Sequence, residues 1–94
     1  MAAYIIADAA ITDLKQHEAY RKLSSAAMAA HGARILVRGG ATTLLEGRAP
    51  GRIVVLEFDN RDRAQAFYDS EEYRRARAAR VGAAVVNMII VDGV

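Results

Sequence analysis

The chain has 94 residues, 53% of them hydrophobic, and its 13 basic and 11 acidic side chains leave a net charge of +2. That is enough for one domain spanning residues 1–94 with a buried core, and it argues against a disordered chain or a strongly basic nucleic-acid binder. With no cysteine, disulfides, thiolate nucleophiles and zinc–thiolate sites are excluded.

Residues 3–11 read as a first strand, with Tyr4, Ile6, Asp8 and Ala10 on one face and Ala3, Ile5, Ala7, Ala9 and Ile11 on the other. Asp13, with Gln16 three residues on, fits a capping box and opens a helix over residues 13–31. Ala19, Leu23, Ala26 and Ala30 form its predicted apolar stripe, with Tyr20 and Ala27 beside it, and Gly32 is the predicted left-handed stop. Residues 34–38 are a second strand, and Gly39-Gly40 predicts a bulge or a close backbone approach. The strand is expected to resume through residues 42–46, before a turn at Gly47-Arg48-Ala49-Pro50-Gly51 and a third strand over residues 52–58. Asp59-Asn60 caps a second helix, which Asp69-Ser70 interrupts and Ser70 recaps. Tyr73, Ala76 and Arg80 share its second stripe, Gly82 ends it, and a last strand runs from Ala84 to about Val91.

The order β-α-β-β-α-β is the ferredoxin-like pattern, an α+β fold with a four-stranded antiparallel sheet and two helices on one face. Ile53-Val54-Val55-Leu56 and Val85-Val86-Asn87-Met88-Ile89-Ile90-Val91 are apolar on both alternating faces. A strand with one wet face would alternate, so both sides of this sheet are expected to be covered. The helices suffice for one side, and a second copy of the chain is the predicted cover for the other. No apolar run reaches the ~20 residues of a membrane helix. Asp8 interrupts the N-terminal apolar stretch, so no signal core is expected and the predicted setting is cytoplasmic. The Arg- and Ala-rich composition fits GC-rich bacterial coding. No internal repeat or low-complexity segment is present.

Arg38-Gly39-Gly40, Glu46-Gly47, Val55-Leu56-Glu57-Phe58 and Ala66-Phe67-Tyr68-Asp69-Ser70 leading to Tyr73 resemble the bacterial family called domain of unknown function 1330, over nearly the whole chain. The resemblance implies a dimeric α+β barrel, in which two ferredoxin-like subunits pack sheet to sheet. That superfamily holds cofactor-free monooxygenases, a lactone isomerase and haem enzymes, so membership speaks to the dimer more than to chemistry. Leu14 and Glu71 stand where the family often has Pro, and Ala33 where it often has a second Gly; these are cap and turn positions.

Glu57, among apolar residues of a central strand, is read either as a general base or hydrogen-bond acceptor with a raised pKa, or as half of a structural ion pair. His31, at the end of the first helix, is a second acid–base candidate or a partner for the helix dipole, while His17 is expected to be solvated. Arg38, beside Gly39 and Gly40, either clamps a ligand carboxylate or pairs with Glu57 or Asp59. Arg80, two helical turns after Tyr73, points inward toward an anion or folds onto helix-end carbonyls. Tyr20, Tyr68 and Tyr73 either line a pocket between helices and sheet or fill the core.

Arg74, Arg75 and Arg77 follow Glu71 and Glu72 at helical spacing, so intrahelical pairs account for them. No nucleic-acid partner is expected, since no aromatics interleave with these arginines. No metal site and no cofactor are assigned: the two histidines lack a carboxylate cluster, and haem would follow by analogy alone. The reading is a homodimer with a pocket between helices and sheet for a small metabolite, an anion being one candidate, acting as a cofactor-independent enzyme; the alternatives are a non-catalytic binder with the same pocket and a structural or interaction dimer without one.

Overall fold

Seven elements follow one another in the computed structural model, which describes residues 1–94: β1 (Ala3–Ile11), α1 (Leu14–Ala30), β2 (Arg34–Arg38), β3 (Arg52–Phe58), α2 (Arg61–Asp69), α3 (Glu71–Ala79) and β4 (Ala84–Asp92). The strands form one antiparallel sheet in the order β2-β3-β1-β4, the ferredoxin-like arrangement. The second helical segment is two helices rather than one. Ser70 ends α2 and caps α3: its hydroxyl donates to the Phe67 carbonyl at 2.7 Å and accepts the Tyr73 N–H at 3.1 Å. Asp13 and Asn60 cap α1 and α2 in the same way, accepting from Gln16 and Arg63.

The sheet register sorts the side chains. Ile5, Leu56 and Phe58 face the helices and pack with Ala27 and Met28 of α1, Phe67 of α2, and Tyr73 and Ala76 of α3. The opposite face carries Ile6, Val55, Val37, Val85, Ile89 and Val91 with nothing over it; Val85 and Ile89 are 68% and 57% exposed. The molecule measures 16 Å in its thinnest direction, one sheet and one helix layer.

Two local expectations are corrected and a third is decided. The strand does not resume through residues 42–46; residues 39–50 carry no regular structure apart from bends, because β2 leaves its register early. The bulge sits between Ile35 and Val37; at Gly39 the other alternative holds, a close approach, here of the Arg52 side chain to the backbone. The buried face of α1 is His17, Ser24, Ala27 and Met28, not the Ala19–Leu23–Ala26–Ala30 stripe, whose members are exposed. Hydrophobicity misplaced this face because the helix lays polar side chains over the sheet, and that is the first sign of a site.

Candidate functional site

Under α1 the floor of the sheet changes character. Toward one end β1 and β3 present Ile5, Leu56 and Phe58; toward the other, Ala7 and Ala9 of β1 lie between Val54 and Arg52 of β3 and Met88 and Val86 of β4. Small side chains there leave a cavity of about 30 Å³ between the sheet and helices α1 and α3, walled mostly by apolar atoms. Room for a water-sized atom takes about 10–15 Å³, so the space holds a few atoms.

Its polar groups converge from four elements. His17, Tyr20, Arg21 and Ser24 come from α1, Arg38 from β2, Arg52 from β3, and Tyr73 and Arg80 from α3 and its cap. No Asp or Glu lines the cavity. None of Arg21, Arg38, Arg52 and Arg80 belongs to any ion pair of the chain. Arg38 donates to the Ser25 hydroxyl at 2.8 Å, with the Ser24 hydroxyl and the Arg21 carbonyl at 3.4 Å. The Arg80 Nε is buried without a partner, and its guanidinium lies 5.3 Å from the Tyr20 ring. The carbonyls at the end of α3 do not occupy Arg80, since the Gln16 amide donates to those of Ala79 and Val81.

Burial and mutual repulsion shape the electrostatics. His17 is 8% exposed; burial first, then Arg52, Arg21 and Arg38, push its pKa below the usual histidine value, so the imidazole is neutral at pH 7. Burial, with Arg21 and Arg52, also lowers Arg38, though a guanidinium stays charged. The Tyr20 and Tyr73 hydroxyls lie 2.8 Å apart, and burial together with Tyr20 raises the Tyr73 pKa. One hydroxyl donates to the other, which leaves one proton of the pair free for a ligand.

Of the residues singled out in the sequence, the cavity unites Arg38, Tyr20, Tyr73 and Arg80. Glu57 is not among them. It lies on the open face of the sheet, where Arg34 Nε donates to it at 2.7 Å and the Tyr4 hydroxyl at 3.0 Å. Those two bonds hold its carboxyl below the usual range, the reverse of a raised-pKa base. The cation expected from Arg38 comes from Arg34, which reaches both Glu57 and Asp59. His31 is also elsewhere, 3.3 Å from Glu72 on the surface. Tyr68 turns away to stack under Arg77, whose Nη1 donates to its hydroxyl at 2.8 Å.

Gly39 and Gly40 touch no cavity. Gly39, at φ +72°, is needed for another reason: a Cβ there would strike the Arg52 guanidinium. Of the basic run on α3, one intrahelical pair forms, Glu71 to Arg75 at 2.8 Å. His17, expected to be solvated, is buried instead, and Arg21, Ser24 and Arg52 went unrecognised in the sequence. The signal for those on α1 was the i, i+3, i+4, i+7 spacing of His17, Tyr20, Arg21 and Ser24, which repeats as a polar stripe.

The model of the domain of unknown function called DUF1330 matches residues 2–94. The chain belongs to the DUF1330 family. No curated protein matches it. Solved structures share the fold of this DUF1330 chain at low identity. A protein of unknown function from Rhodopseudomonas palustris, RPA0582, is 16% identical with a TM-score of 0.78, over 99% of this chain and 82% of that one. A dimeric ferredoxin-like protein of unknown function from Bacteroides fragilis is 14% identical with a TM-score of 0.68, over 98% and 96%. SnoaB, a cofactor-independent oxygenase from Streptomyces nogalater, is 11% identical with a TM-score of 0.64, over 99% and 93%. No helix of the DUF1330 chain is long and apolar enough to cross a membrane.

Proposed function

We propose that this DUF1330 protein is a cytoplasmic homodimer, joined through the open sheet faces, that binds a small organic anion in the cavity of each subunit. One observation carries the ligand reading: four arginines meet at a cavity that contains no acidic side chain. Uncompensated like charges repel and are costly to desolvate, and a bound carboxylate would relieve both costs with charge-assisted hydrogen bonds. The open apolar face and the dimeric relative from B. fragilis support the assembly.

The test is calorimetric titration with small carboxylates at fixed ionic strength. Saturable binding is expected, and the double variant Arg38→Gln/Arg52→Gln should weaken it by about tenfold or more, the loss of charge-assisted bonds worth about 1.5–3 kcal/mol each. Binding that ignores the double variant would move the ligand elsewhere.

A second reading is favoured by His17. A neutral imidazole whose ring centre lies 5.4 Å from that of Tyr20 can carry a proton to or from a bound anion. With SnoaB described as a cofactor-independent oxygenase, this supports a cofactor-independent enzyme using the same cavity. Turnover lost in His17→Gln while binding persists would establish it; no turnover of any bound anion would leave a binding protein.

A further inference from the structure

The arginines of the cavity fall into two groups. Arg21, Arg38 and Arg52 act on one another and on His17, whereas Arg80 acts on Tyr73. The topology explains the split. Arg38 and Arg52 stand on β2 and β3, on one side of the sheet. Arg80 ends α3, and its carbonyl accepts the Ala83 N–H just before β4, at the opposite edge. Tyr20 lies between the two groups, its ring under Arg80 and its hydroxyl on Tyr73. The floor between them is apolar, with Ala7, Ala9 and Ala84 set among Val54, Val86 and Met88. Glu18 is the one carboxylate whose charge bears on His17; it is exposed and shares a surface cleft with His17, Arg21 and Arg52.

We propose that the cavity takes a short-chain dicarboxylate, with one carboxylate at Arg38 and Arg52, the other at Arg80 and the Tyr20–Tyr73 hydroxyl pair, and the carbon link over the alanine floor. This rests on the anion-site reading above and names its ligand class. A monocarboxylate satisfies one group of arginines and leaves the other unpaired. On this placement a compact anion such as phosphate also reaches one group only. The buried, unpartnered Arg80 Nε is the donor that the second carboxylate satisfies. The enclosed space of about 30 Å³ takes only the link of such a ligand, with its carboxylates outside it against the half-buried Arg38, Arg52 and Arg80, so long-chain diacids are excluded.

The experiment compares succinate, butyrate, adipate and inorganic phosphate by calorimetric titration of the full chain at constant ionic strength. Butyrate matches succinate in chain length and lacks one carboxylate. Succinate should bind about tenfold or more tightly than butyrate and phosphate, as expected for one additional charge-assisted interaction, and adipate should bind weakly. Arg80→Gln should bring succinate down to the level of butyrate. Equal affinities for succinate and butyrate would overturn the two-ended ligand while leaving the anion site standing. No binding by any probe would overturn both. Should Arg80→Gln fail to fold, the wild-type series still decides between these outcomes.

Discussion

His17 shows what burial does to one ionisable side chain. Its folded pKa lies below its ordinary value of 6.5, so between the two values the unfolded chain holds more protons than the folded one. The stability it permits is therefore present when the ring is neutral, and falls as pH drops from about 7 through 6.5 toward the lower folded value. His17→Gln should flatten the pH dependence of thermal unfolding in that window. A bound anion offsets the arginines' field at the ring and so favours the protonated imidazole. Anion binding should therefore strengthen as pH falls below 7 in the native protein and not in His17→Gln, which titrations at several pH values would show. Glu57 follows the same sign in a more acidic window. Arg34 and Tyr4 hold its folded pKa below 4.5, so its contribution is present above 4.5 and lost as pH falls through the folded value. Because Glu57 faces away from the cavity, Glu57→Gln should leave anion affinity unchanged within about twofold, the usual limit for independent sites.

Two junctions between elements set the cavity's walls. At Ser70 a single hydroxyl closes α2 and opens α3, which turns Tyr73 inward onto Phe67, ring centres 4.6 Å apart. Ser70→Ala removes that cap and should cost about 1 kcal/mol, read as a lower midpoint in urea unfolding. On β1, Ala7 and Ala9 hold the floor open opposite Met88 and Val86 of β4, where core strands usually carry branched side chains. Ala7→Leu should fill the cavity and abolish anion binding while every arginine remains. Overpacking should lower stability by about 1–3 kcal/mol, so circular dichroism must accompany the titration. Leu23 was expected inside on hydrophobicity, yet α1 turns His17 and Ser24 inward instead. The register of α1 follows the cavity rather than the greasiest stripe.

At the scale of the molecule, one sheet face is filled and the other is open. Isolated apolar residues on a surface are ordinary, but Ile6, Val37, Val55, Val85, Ile89 and Val91 share one face across four strands. Covering it with a second copy buries apolar area at about 25 cal/mol per Å². Ile89→Lys places a charge on that face and does not touch the helix-side core. Sedimentation should show a dimer for the native protein and a folded monomer for the variant; a persistent dimer would place the interface elsewhere. The Tyr4–Glu57–Arg34 network lies on the same face. Its ions are already paired there, as a partly buried interface requires.

Strand periodicity, caps and glycine stops lie in local chemistry, so the βαββαβ order and the recapping at Ser70 were legible in the sequence. So were the two-sided strands and four of the cavity residues, Arg38, Tyr20, Tyr73 and Arg80, because an inward stripe can be counted along one element. Which elements meet depends on contacts between distant parts of the chain, and only the tertiary structure decided that. It gave Glu57 to Arg34 instead of Arg38, because the bulge at Leu36 sets which β2 side chain stands opposite β3. It buried His17 and gathered four arginines without an acid, because charge balance at a site is summed over α1, β2, β3 and α3 and no single segment contains it.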